Sequence, residues 1–191
     1  MVVVGIATYR EIQINNFEST AQDLGSSVVS ALQEEDPSSQ INALNQIQAD
    51  NPDAQAIVDF YLADLYQQND NELEAVNILT DLARNSDVSI VYRDLAELKA
   101  IIISEGTVSY NDLISRLDSL AQFGSPFRTI ATELKGYYLV GMAEESSSHE
   151  LRQEGLSVLR GIYSDAEASS NLKFRVSQFL TTLGEETEIP N

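Results

Sequence analysis

The chain's stock of reactive side chains is narrow: 30 carboxylates, one histidine and no cysteine. Carboxylates alone can run acid–base hydrolysis when two of them face each other across a substrate with pKa values driven apart. Glu34-Glu35, Glu144-Glu145 and Glu185-Glu186 are neighbours in sequence that mostly point apart, which fits a solvated face rather than an acid–base pair. His149 stands beside Glu150 at an expected helix start, a surface or capping place. Zinc normally draws several His and Cys ligands, and this composition cannot supply them. Gly5, Gly25, Gly106 and Gly124 stand alone, so no phosphate-cradling loop is built, and no Gly-x-Ser-x-Gly marks a nucleophile elbow. Asp70-Asn71-Glu72 lacks the alternating order and distant Glu of a calcium loop. The residue types predict a protein that is not an enzyme, with no cofactor and no metal.

Binding is the chemistry that remains, and one spacing points to it. Ala63 and Ala96 occupy matching places in two helix-pair patterns, 33 residues apart. A helix–turn–helix unit repeating every ~34 residues marks a tetratricopeptide (TPR) array. With Ala63 at the small eighth place, Tyr66 falls at the aromatic eleventh, Ala75 at the small twentieth and Leu79 at the bulky twenty-fourth. Small residues let paired helices cross closely while large ones fill the seam. Such arrays leave a groove for partners. The concave places of the first helices map to Ile57, Phe60, Asp64, Gln67 and Gln68 in one pair. The next gives Ile90, Arg93, Glu97, Ala100 and Ile101, and the third, set from Gly136, gives Ile130, Glu133, Tyr137, Val140 and Gly141. If that groove is open, its apolar and acidic walls suit an extended or helical peptide carrying basic residues; the competing expectation is that the first helix covers it.

The elements that position these residues read as all-α. Phe17, Ala21, Leu24, Val28 and Leu32 hold one face of a long helix over about 6–34, and a helix over about 38–49 follows. Helix pairs are expected near 53–68 with 71–85, 88–104 with 109–122, and 126–144 with 148–164. Ser109, with Asp112 three residues on, is a weak capping box; a last helix over about 166–183 should stop at Gly184. Residues 8–184 are thus expected to form one TPR-like domain, a right-handed superhelical stack, with 185–191 as a frayed acidic tail. A formal charge of −19 argues against nucleic acid, whose phosphates it would repel.

Several segments resemble one branch of TPR-like proteins. Gly124-Ser125-Pro126-Phe127-Arg128, then Ala131, Glu133 and Leu134, looks like the Pro-aromatic-Arg opening of that branch's last repeat. Arg93-Asp94-Leu95-Ala96, and Tyr9-Arg10 leading into the long helix, fit the same pattern. The chain is similar, on these residues, to bacterial inner-membrane TPR-like proteins akin to the ancillary subunit of the SecYEG translocon, the α-proteobacterial branch. Lys135 stands where that pattern has Leu, and Ser146–Ser148 lengthen the third pair. The resemblance implies one membrane helix, a domain on the periplasmic side, and translocon parts, periplasmic chaperones or exported proteins as partners. Met1–Ala7, apolar but far short of the ~20 residues a span needs, is open to two readings: the stub of that membrane helix, or the natural start of a soluble cytoplasmic adaptor or secretion chaperone. A structural homo-oligomer, in which the long helix pairs with a copy of itself, is the third expectation.

Overall fold

The computed structural model describes residues 22–185, so the expected stub at 1–7, the first part of the long helix and residues 186–191 lie outside the described residues. Among the described residues there are nine helices and no strand. They are α1 (22–32), α2 (Pro37–Asn45), α3 (Pro52–Gln68), α4 (Glu72–Arg84) and α5 (Ile90–Ile103), then α6 (Tyr110–Leu120), α7 (Arg128–Ser146), α8 (His149–Ser164) and α9 (Ser170–Thr182). Local chemistry sets the ends. Pro37 and Pro52 open their helices, where a missing N–H costs nothing, and Asp36 and Asn51 cap them. The Ser109 hydroxyl accepts from the Asp112 N–H and donates to the Asp112 carboxylate at 2.6 Å. Two helices end in the same double turn. Asp70 and Gly184 take the left-handed conformation, and the next residues, Asn71 and Glu185, donate back to Tyr66 and Leu180 carbonyls.

Three expectations need correcting. The second helix stops at Asn45 rather than 49, because Gln46 and Ile47 donate to carbonyls three residues back and close the turn. The last helix begins at Ser170 rather than 166, where the Ser169 hydroxyl can accept from Leu172 N–H. Glu185 is anchored rather than frayed: its carboxylate accepts from Arg160 at 2.6 Å and from Arg152 at 3.5 Å.

The helices fall into two compact units, one ending at Arg93 and the other starting at Asp94, so the boundary lies within α5. In the first, α1 buries Val28 and Ala31 in a cluster with Leu44 of α2 and Val58, Leu62 and Leu65 of α3. α3 packs on α4, and Ala63 of α3 and Ala75 and Leu79 of α4 are fully buried. Each such leucine removed from water contributes roughly 1.5–3 kcal/mol. In the second unit, α6, α7, α8 and α9 approach one another in sequence. α5 contributes Leu98 and Ile101 to a cluster with Leu113 and Leu117 of α6. α7 and α8 come closest: a Cβ on Gly136 would lie 2.6 Å from Leu159, and one on Gly155 would lie 3.0 Å from the Gly136 carbonyl oxygen.

Candidate functional site

In the first unit the irregular link after α2 holds a groove open between α1 and α3. The Ala49 N–H donates to the Gln55 side chain at 3.2 Å, and Asn51 caps α3, which fixes residues 47–51 as one wall. The groove has a volume of about 790 Å³. Leu24, Val28 and Leu32 of α1 face Ile57 and Tyr61 of α3 across it, and Tyr92 closes one side. Three of its apolar groups are only partly covered: Val29 is 54% exposed, Tyr61 41% and Ile57 37%. Three carboxylates, Asp23, Asp50 and Asp53, belong to the same lining, and among the described residues no Lys, Arg or His does. Asp53 also accepts the Ser89 N–H at 2.7 Å. Residues 23–32 of α1 thus contribute one wall of this groove, and the rest of the expected first helix lies outside the described residues.

A second cavity of about 340 Å³, on the same unit, is lined by Asp59, Glu74, Asp81, Asn45 and Asn85. Burial raises the Asp59 carboxyl above its ordinary value, partly offset by the hydrogen bond from Gln55. Among the described residues no group of three His, Cys, Asp or Glu side chains is placed to hold a metal ion.

The second unit is built around a different feature. Glu133, only 3% exposed, lies on α7 and accepts two hydrogen bonds from Arg175 of α9, at 3.1 and 2.7 Å, and one from the Tyr137 hydroxyl at 2.9 Å. The Tyr137 ring packs on Phe179, centroids 4.4 Å apart. Burial first, and the bond to Glu133 second, push the Tyr137 hydroxyl well above its ordinary value, while Glu133 raises the Arg175 guanidinium. Arg128 ties the start of α7 to the turn before α9 by pairing with Asp165 and Glu167, each at 2.7 Å. Its hydrogen bonds hold the Asp165 carboxyl below the usual range.

The residues expected to share one concave surface are dispersed. Ile57 lines the groove, and Phe60 reaches its edge by packing on Tyr92, centroids 6.3 Å apart. Gln67 and Gln68 are exposed and Asp64 is half-buried, but none of the three lines it. Arg93 is half-buried with its Nε unbonded. Glu97 is engaged by Arg116 of α6 at 2.7 Å. Ile101 and Val140 are corrections: they are fully buried in separate core clusters and present nothing to a partner. Ala100 is buried likewise, Ile90 and Ile130 are exposed, and the Gly141 Cα faces the Tyr110 ring. Glu133 and Tyr137 are brought together, but as an internal bond. Asp23, Val29, Asp50 and Tyr61 were missed; Val29, one residue past Val28 of the α1 stripe, was the available signal.

Family models, curated proteins and solved structures yield no match to this chain.

Chemically, the groove offers apolar contact and negative potential, while in the second unit Glu97, Asp118, Glu133, Asp165, Glu167 and Glu185 are each paired with an Arg or Lys. No described helix is long and apolar enough to cross a membrane.

Proposed function

We propose that this chain is a non-catalytic protein-interaction scaffold made of TPR-like helix pairs, tethered to the bacterial inner membrane and facing the periplasm, where it holds a partner during export or assembly. The observation that carries the binding role is the first unit's groove, with Val29, Ile57 and Tyr61 left partly uncovered on its walls. Apolar side chains in a concave surface rimmed by polar groups mark an interaction site more often than an accident of packing. The TPR-like reading is supported by the fully buried Ala63, Ala75 and Ala96 and by the glycine contact of α7 with α8. The envelope role is supported by the resemblance around Pro126-Phe127-Arg128.

Affinity capture from a solubilised envelope fraction tests it, comparing the chain with its Ile57→Asn variant. Translocon or periplasmic chaperone proteins retained by the first and lost from the second are the expected result. Recovery of cytosolic clients alone would favour a soluble adaptor, and identical recovery by both would remove the groove from the account. The tether is tested separately by the DNA upstream of the Met1 codon. An in-frame stretch of ~15 or more apolar codons preceded by Lys/Arg is expected, and an immediate stop codon would end that part of the reading.

A further inference from the structure

We propose that the groove selects cationic amphipathic helices, its α1 and α3 walls taking the apolar face while Asp23, Asp50 and Asp53 receive the flanking Lys or Arg. This rests on the scaffold reading and goes beyond it by fixing the chemistry of the partner.

Residues 22–93 carry 13 acidic and two basic side chains, and neither Arg84 nor Arg93 lines the groove. At physiological salt, screening acts over ~8 Å, so a basic group seated in the groove is attracted by whichever of these aspartates it approaches. An acidic segment would bring like charges into the same cleft. Among the described residues there is no strand, so the groove offers no open sheet edge to pair with an extended backbone. A segment buried there must satisfy its own N–H and C=O groups, which a helix does. Two other occupants fit poorly. A second copy would set one −19 chain against another. Residues 1–21 carry one arginine against two glutamates.

The test uses the full chain and three fluorescein-labelled peptides of about 18 residues sharing one leucine-rich helical face. Their polar faces carry Lys, Gln or Glu. Anisotropy titrations should show the Lys peptide binding roughly tenfold or more tighter than the Glu peptide, with the gap narrowing as salt rises from roughly 50 to 300 mM. The Lys peptide should gain helicity on binding, and a central proline should abolish binding. Asp23→Asn with Asp50→Asn should weaken the Lys peptide several-fold and leave the Gln peptide unchanged. Asp53 is spared because it bonds Ser89. Ile57→Asn should weaken both peptides; Val29→Asn, at a largely exposed side chain, repeats this should Ile57→Asn fail to fold. Equal affinity for the Lys and Gln peptides would overturn the selectivity while leaving the groove as a binding site. Binding indifferent to Ile57 and Val29 would overturn the assignment of the groove. Failure of all three peptides would overturn the inference, and the scaffold reading would fall with it only if partner capture were also indifferent to Ile57.

Discussion

The α3/α4 pair of the first unit and the α7/α8 pair of the second meet the same demand with different residues. α3 and α4 pack together with alanines, Ala63 and Ala75, among their fully buried residues. α7 and α8 cross on Gly136 and Gly155, with a backbone carbonyl where the next methyl would go. Polar groups differ in the same sense. Among the described residues, the first unit's groove places three carboxylates and no cation beside partly exposed apolar walls, whereas the second unit sinks Glu133 and pairs it with Arg175.

The largest effect is expected from unpairing Glu133. Arg175→Ala leaves a buried carboxylate with only Tyr137 as donor. We expect a cost of about 3 kcal/mol, at the low end for a broken buried pair because Arg175 is itself half exposed. Glu133→Gln, which keeps an acceptor for Tyr137, should cost less. Urea melts of both variants and their double mutant check this; equal, additive losses would show that the pair is not coupled.

Next comes the crossing itself. Gly155→Ala sets a methyl against a main-chain oxygen at 3.0 Å, which cannot rotate away, and should cost roughly 1–3 kcal/mol. Ala75→Leu overpacks the looser α3/α4 crossing and belongs in the same roughly 1–3 kcal/mol range. An unchanged melting midpoint for Ala75→Leu would argue that α4 can shift to admit it, and the two crossings would then differ in plasticity as well as spacing.

How much of this could be read beforehand depends on the kind of constraint. Ala63, Ala75 and Leu79 were legible because sterics at a helix crossing act on residue size, and size is visible in sequence. Pro37 and Pro52, with Asp36 and Asn51 before them, likewise announce where helices start. The partner of Gly136 was not read: Gly155 follows a serine-lengthened turn that disguises the register. Glu133 looked like a groove residue because nothing local says which of 30 carboxylates finds an arginine 42 positions later. Ile101 and Val140 were assigned outward by a generic repeat register, but both lie in helices that are buried on more than one side, where that register carries little information.

Acid should separate the units by sign. Asp165 is held below its ordinary 3.8 by Arg128, so its stabilisation is present above that value and is lost as pH falls through the lower folded pKa. Asp59 is raised above 3.8 by burial, so the folded state carries a penalty at neutral pH that is relieved as pH falls through the raised value. Asp59→Asn should therefore raise the melting temperature at pH 7 and make no difference well below pH 3.8. Arg128→Met should lower it at pH 7 and flatten the acid limb. Melting curves from neutral to strongly acid pH that move the two variants in the same direction would contradict these assignments.

The smallest effect sharpens the comparison within one helix. Gly161 lies on α8, six residues beyond Gly155, yet a Cβ there would meet nothing within 4 Å. Its backbone is ordinary helix, so the glycine brings only conformational freedom in the unfolded chain. Gly161→Ala should stabilise the protein by about 0.4–1 kcal/mol. The same substitution is thus expected to act with opposite sign at the two glycines, unfavourable where α8 touches α7 and favourable where it faces water. Thermal melts of the two single variants and the pair decide it. Should Gly161→Ala also destabilise, the exposed face of α8 carries a packing constraint that these contacts do not contain, and the glycine of the crossing loses its special standing.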